Sequence, residues 1–157
     1  MLKYTDAEVV FAEIPDELTL AINISNCPCH CKGCHSSYLA DDIGEVLDKE
    51  SLCSLIEGNK GITCVAFMGG DSSPTDIEKL AKHIKESYNL KTAWYSGRET
   101  AFIKLDDLDF IKLGPYKEEC GPLNKETTNQ VFYKVVHLKS GKNRLFDMTY
   151  KFWKEYD

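Results

Sequence analysis

Four cysteines lie within eight residues of this chain, in the segment NCPCHCKGCH. Three of them, Cys27, Cys31 and Cys34, have the spacing C-x3-C-x2-C, and Cys29 is an additional thiol. Thiolates are the usual ligands of iron–sulfur clusters. Three thiolates from one short loop can hold three irons of a [4Fe-4S] cube and leave the fourth iron open to a small chelating ligand, much as a catalytic zinc site keeps one position open. The segment therefore predicts a metal or cluster site that binds a ligand directly.

Two other kinds of site use the same segment and stay open as alternatives. Zinc could take four ligands from the thiols, His30 and His35, but structural zinc sites draw two ligands from each of two separated knuckles, and the sequence has no second C-x2-C. An electron-transfer cluster would take Cys29 as its fourth ligand. Alternate residues of an extended loop point to opposite sides, so Cys27, Cys29 and Cys31 are awkward as simultaneous ligands. We therefore expect Cys29 to be a bystander.

The other three cysteines are scattered along the chain. Cys53 and Cys64 stand in apolar contexts that predict core thiols, and Cys120 is predicted to be a loop thiol without a role. An odd number of cysteines, one dense cluster and no secretion signal argue against a disulfide framework. We expect a protein of a reducing compartment.

Composition excludes several classes of function. The 157 residues suit one domain, taken as 1–157, and the formal charge of −6 does not suit a protein that binds nucleic acid through a broad cationic face. No apolar run approaches the roughly 20 residues that cross a bilayer, and the N-terminal segment carries acids where a signal peptide would be apolar. The prediction is a cytoplasmic protein with no nucleic-acid or membrane partner.

The pattern of apolar residues predicts alternating strands and helices. Strands are expected at 9–14, 18–24, 63–68, 91–95 and 110–113. Helices are expected at about 48–57, ending in a left-handed cap at Gly58-Asn59, and from Pro74 to about Tyr88, with a short helical turn from Glu99 to Ile103. Such alternation implies an α/β architecture whose ligand site lies at the carboxyl ends of the strands. The cysteines, Gly69-Gly70-Asp71 and Ser96-Gly97 all follow predicted strands and should meet at that edge.

The C-terminal part has a different pattern. Residues 131–138 alternate as VFYKVVHL, and Ser140-Gly141-Lys142-Asn143 offers a hairpin turn. We therefore place the core at about 9–130 and a C-terminal β-hairpin and tail at about 131–157. The tail contains Phe152, Trp153 and Tyr156, which suit either core packing or a partner contact.

Several motifs together carry a resemblance to a known family. NCPCHCKGCHS, AFMGGDSSP, AWYSG, FIKLGPY and TTNQ follow one another in this order. The cysteine motif and the Gly-Gly-acidic motif resemble the radical S-adenosylmethionine (SAM) enzymes, and the full set looks like the activating proteins of anaerobic ribonucleoside-triphosphate reductases. The likeness runs from about Leu18 to Gln130.

The resemblance implies roles for individual residues. It makes Cys27, Cys31 and Cys34 the ligands of a [4Fe-4S] cluster. It also implies a set of residues that bind SAM: Gly33, His35, Gly69, Gly70, Asp71 and Ser96. Two glycines let a backbone approach a ligand closely, and a carboxylate suits the amino group of SAM. Without the resemblance, Gly69-Gly70-Asp71 would be taken for a strand-to-helix turn with Asp71 or Ser72 near a helix cap.

The resemblance also implies an activity and a fold. The expected enzyme is a radical SAM oxidoreductase that takes an electron from reduced flavodoxin or ferredoxin and installs a glycyl radical on the large reductase subunit. Its expected fold is a partial, open (β/α) barrel, because the chain is shorter than the about 250 residues of a full barrel. The rivals are an activase of another glycyl-radical enzyme, a radical enzyme that modifies a peptide, and a zinc- or cluster-binding interaction module. Two departures from the family, at Ile14-Pro15-Asp16-Glu17 and at Val131, concern how a partner docks.

Overall fold

One mixed sheet organises the described part of the protein. The computed structural model describes residues 1–25, 43–101 and 103–153. The strands are β1 (Leu2–Val10), β2 (Thr19–Ile24), β3 (Glu45–Leu47), β4 (Cys64–Met68), β5 (Lys91–Tyr95), β6 (Phe110–Leu113), β7 (Val131–His137) and β8 (Asn143–Asp147). The helices are α1 (Lys49–Glu57), α2 (Pro74–Ser87) and α3 (Tyr150–Trp153). Within these ranges no helix is long and apolar enough to span a bilayer.

The sheet has a parallel centre and antiparallel flanks. Its strand order is β3-β1-β2-β4-β5-β6-β7-β8. The four central strands, β2, β4, β5 and β6, are mutually parallel. On one side β1 and β3 add antiparallel, and on the other side β7 and β8 form an antiparallel hairpin. The pairings define an open sheet with β3 and β8 as its edge strands. They do not test whether the sheet curves into a partial barrel, which stays a prediction.

The central strands are apolar because both faces are covered. In β4, Val65 and Phe67 pack on the helix side, while Cys64 and Ala66 face the other cluster, and all four are fully buried. A parallel strand buried on both faces needs such a continuous apolar run. Cys64 is therefore a core thiol, as predicted, whereas Cys53 is only half-buried and the prediction for it was wrong.

Helices α1 and α2 cover one face of the sheet. Asp48 caps α1 in a reciprocal arrangement with Ser51, and Pro74 occupies the first turn of α2. The predicted apolar face of α2 is the buried one, and it consists of Ile77, Leu80, Ala81 and Ile84.

The end of α1 differs from the expectation. Gly58 has φ −78°, so the predicted left-handed cap is absent there. The side-chain amide of Asn59 donates to the Leu55 carbonyl at 2.8 Å, and the Gly58 N–H donates to the Ser54 carbonyl. Because these donors already satisfy the last carbonyls, the left-handed residue comes only at Gly61, with φ +93°.

The first strand lies earlier than predicted. It spans Leu2–Val10, not 9–14, because its pairing with β2 begins with Val10 opposite Thr19. Ile14 belongs to the connection and is buried in the second core cluster, so its apolar character reflects packing and not a strand. The strand was not predicted over its full length because it contains acidic residues, whose side chains face solvent or a cavity.

The segment between β5 and β6 also corrects the sequence analysis. The described residues 97–101 and 103 form no helix. The Arg98 carbonyl accepts from the Gly114 N–H at 2.6 Å, and the Asp109 carboxylate accepts from the Thr92 N–H at 2.9 Å. Lys85 of α2 is also paired with Asp109. These contacts hold the connection against β5 and β6.

Candidate functional site

The parallel register brings the predicted site segments to one edge of the sheet. Asn23 of β2 lies beside Met68 of β4, Met68 beside Tyr95 of β5, and Tyr95 beside Lys112 of β6. The residues that follow these four positions therefore leave the sheet at the same edge. This is where ligands bind in open α/β sheets.

The cysteine segment is attached to this edge at both of its flanks. Ser25 is 1% exposed, its N–H donates to the Lys3 carbonyl at 2.9 Å, and its hydroxyl donates to the Ile43 carbonyl. The chain thus leaves the sheet and returns to it at one point. The predicted residues between the flanks lie outside the described residues: Cys27, Cys29, His30, Cys31, Gly33, Cys34 and His35.

Two glycines bring the end of β4 against the first of these flanks. Gly69 and Gly70 have φ of +106° and +96°, a region that other residues rarely adopt. A Cβ at Gly69 would lie 3.1 Å from the Ile24 carbonyl oxygen, and one at Gly70 would lie 2.7 Å from Ile77 Cδ1. The Gly69 N–H donates to the Tyr95 carbonyl. The backbone conformation therefore requires glycine at both positions. Gly69 lies next to Ile24, the residue that precedes Ser25.

Asp71 connects the end of β4 to the end of β5. Its side chain is 2% exposed, Oδ1 accepts from the Ser96 hydroxyl at 2.5 Å, and Oδ2 accepts from the Gly97 N–H at 2.8 Å. The Arg98 guanidinium donates to the Asp71 carbonyl at 3.4 Å. Asp71 does not cap a helix, because the N-cap of α2 is Ser73. Two of the residues predicted to bind SAM, Asp71 and Ser96, are thus in direct contact.

A cavity of about 520 Å³ opens beside this edge, on the sheet face opposite α1 and α2. One of its lining residues in the central strands, Ala21, has a small side chain. Its lining residues are Asp6, Glu8, Val10, Glu13, Ala21, Asn23, Met68, Tyr95, Lys112, Tyr116, Pro122, Leu123 and Gln130.

Lys112 is the buried cation of this cavity, and the sequence analysis missed it. The side chain is 7% exposed, its ammonium donates to the Gly114 carbonyl at 3.0 Å and lies 5.6 Å from the centre of the Tyr95 ring. A lysine in the otherwise apolar strand FIKL was the available signal, since lysine is rarely buried. Burial and the Glu13 carboxylate raise the pKa of Tyr95, whose hydroxyl donates to the Glu13 backbone carbonyl. The phenol is therefore neutral near pH 7.

The Gly-Pro-Tyr and Asn-Gln motifs meet at the far side of the cavity. The Gln130 amide donates to the Gly114 carbonyl at 3.4 Å, and the Asn129 amide donates to the Pro115 carbonyl at 3.0 Å. Tyr116 and Gln130 line the cavity. Motifs that are separate in the sequence thus belong to one wall.

The donor chemistry fits an iron–sulfur cluster. The cysteine segment supplies up to four thiols immediately after a strand whose end is fixed by Ser25. Within the part of the chain that the structure describes, no group of three or more His, Cys, Asp or Glu side chains could hold a metal.

Comparison with known families gives the same chemistry. The model of a family described as a 4Fe-4S single cluster domain matches residues 18–132. The matched range contains the cysteine segment and all four parallel strands. No curated protein and no solved structure gives a significant match.

Proposed function

Since the chain belongs to the 4Fe-4S single cluster domain family and is an iron–sulfur protein, we propose that it is a radical SAM activase. The proposed reaction is the reductive cleavage of SAM, followed by formation of a glycyl radical on the large subunit of an anaerobic ribonucleoside-triphosphate reductase. The resemblance of the five motifs supplies this assignment. The geometry of the described residues supports it.

The observation that carries the proposal is the convergence of three segments at one edge. At this edge the backbone of Gly69 passes close to Ile24, next to the flank of the cysteine segment, and leaves little space for a side chain. The Ser96 hydroxyl donates to Asp71, which joins the turn after β5 to the turn after β4. SAM would bind the cluster and the Gly69-Gly70-Asp71 turn at the same time, so the two must lie close together. The cavity beside this edge offers space for such a ligand.

Cys27, Cys31 and Cys34 would hold the cluster, and Cys29 would remain free of it. When bound, the cluster supplies the single electron that breaks the C5′–S bond of SAM, giving methionine and a 5′-deoxyadenosyl radical. The protein's residues bind and orient the cofactor and exclude competing reactions. Gly69 and Gly70 place no side chain between this turn and the end of β2, which is where the methionine end of SAM would bind.

The cavity beside this edge is the proposed place where the radical meets its substrate. Tyr95 and Met68 give it an apolar floor, and the buried Lys112 stands at its wall. We propose that a glycine-bearing loop of the reductase enters this cavity. Reduced flavodoxin or ferredoxin is the proposed electron donor.

The function is tested by mixing the cluster-loaded protein, the reductase of the same organism, SAM and a reductant under anaerobic conditions. Electron paramagnetic resonance should then show the doublet of a glycyl radical on the large subunit. Omission of SAM is the control and should give no doublet. If the doublet fails to form while SAM is cleaved at the normal rate, the reductase is not the substrate, and another glycyl-radical enzyme or a peptide takes its place.

A further inference from the structure

A cysteine and a histidine form a pair between α1 and α2, outside the site described above. Cys53 Sγ lies 3.2 Å from Nε2 of His83, and Nδ1 of the same ring lies 3.4 Å from the Ser87 hydroxyl. Cys53 and His83 are both partly exposed. A thiol beside a base that is itself held by a third group is the arrangement of an activated nucleophile.

The other groups around the thiol are Tyr88 and Glu57. The Tyr88 hydroxyl donates to the Glu57 carboxylate at 3.3 Å. Its hydrogen bond with Cys53, partial burial and the nearby carboxylate raise the pKa of Tyr88 to about 12. The phenol therefore keeps its proton near pH 7, and among the described neighbours of the thiol the imidazole of His83 is the nitrogen base.

We propose that Cys53 is a modification site that forms mixed disulfides with small disulfides. His83 Nε2 accepts the thiol proton, and the Cys53 thiolate attacks one sulfur of the reagent. A new S–S bond forms, the S–S bond of the reagent breaks, and the released thiolate takes the proton back from the imidazolium. The Cys53 sulfur is oxidised and one sulfur of the reagent is reduced, so no other oxidant is needed.

Two other thiols of the chain provide internal comparisons. Cys64 is fully buried, and burial raises the pKa of its thiol to about 12, which makes it unreactive. Cys120 is partly exposed like Cys53, but no described imidazole lies within hydrogen-bonding distance of its thiol. A difference between Cys53 and Cys120 therefore reports the effect of the histidine and not of exposure.

The experiment treats the cluster-loaded protein with glutathione disulfide under anaerobic conditions and follows each cysteine by peptide mass spectrometry. Cys53 should form its mixed disulfide about tenfold faster than Cys120, or more. His83→Gln keeps a polar side chain without a base and should remove this advantage. His137→Gln, which changes a histidine on β7, should leave the Cys53 rate as it is.

Equal rates for Cys53 and Cys120, or an unchanged Cys53 rate in His83→Gln, would overturn the proposal. Circular dichroism and iron content establish that each variant is folded and loaded. If His83→Gln fails to fold, Ser87→Ala decides, because Ser87 is exposed and its loss should slow Cys53 severalfold by freeing the imidazole. An unchanged rate in that variant would likewise contradict the proposed role of the pair.

Discussion

Asp71 has a structural role in the folded protein that its sequence motif does not indicate. The sequence motif assigns its carboxylate to the amino group of SAM, whereas the structure has both oxygens accepting hydrogen bonds from Ser96 and Gly97. Burial made this arrangement necessary, because a buried carboxylate needs partners. The composition and the spacing of the motif do not reveal that the donors to this carboxylate come from the turn after β5.

Replacement of Asp71 by asparagine tests the structural task. The amide keeps the shape but supplies one acceptor where the carboxylate supplies two, so a buried donor at Ser96 or Gly97 loses its partner. We expect a loss of about 1–3 kcal/mol in the free energy of unfolding, measured by urea denaturation. Asp106→Asn, at an exposed position, is the control and should change stability by less than about 0.5 kcal/mol. A stable Asp71→Asn protein with weaker SAM binding would instead assign the carboxylate to the ligand alone.

Cys64 makes a prediction about alkaline pH. Its pKa is raised from 9.0 to about 12 in the folded protein, mainly by burial, so above pH 9 the thiol ionises in the unfolded chain before it does in the folded one. The unfolded state then binds fewer protons, and stability falls as the pH rises from about 9 towards 12. In Cys64→Ala the fall between pH 8.5 and 10.5 should be shallower, by up to about 1.4 kcal/mol per pH unit above pH 9. Parallel stability curves for the two proteins would show that Cys64 does not titrate in this way.

Among the elements, the parallel strands could be predicted and the connections could not. The bounds predicted for β5 and β6 agree with the structure because a strand buried on both faces is apolar throughout. The strand β1 was misplaced because its solvent- and cavity-facing residues are acidic. The helix expected after Gly97 is absent from the described residues, and at the start of that segment the Arg98 carbonyl accepts from the Gly114 N–H. The conformation of such segments depends on hydrogen-bond partners that are distant in the sequence. A local pattern of residues does not reveal these partners.

The turn after β4 is the element on which the candidate site depends most. In Gly70→Ala the new Cβ would combine a left-handed backbone with a contact of 2.7 Å to Ile77, which is fully buried and cannot move freely. Gly141→Ala has a similar φ of +88° but meets nothing within 4 Å. We expect Gly70→Ala to lose about 1–3 kcal/mol more stability than Gly141→Ala in urea denaturation. Equal losses would mean that only the backbone conformation matters at Gly70.

At the scale of the whole molecule, the range of the family match includes the four parallel strands of the sheet. The match covers 18–132, and within that range Ser25, Gly69-Gly70-Asp71 and Ser96-Gly97 follow parallel strands at one edge of the sheet. The sequence motifs identified these segments, but the cavity and the buried Lys112 arise only when strands distant in sequence are aligned. The predicted partial barrel and the activase function remain proposals at this scale.

The central claim is that the protein holds a [4Fe-4S] cluster through three cysteines and cleaves SAM at it. The most direct measurement is the yield of 5′-deoxyadenosine and methionine from SAM and a strong reductant, together with the iron and sulfide content of the anaerobically reconstituted protein. The account predicts about four irons, equal amounts of the two products, retention of both properties in Cys29→Ala and loss of both in Cys31→Ala. Stoichiometric zinc without sulfide, or a loaded cluster that leaves SAM intact, would contradict it.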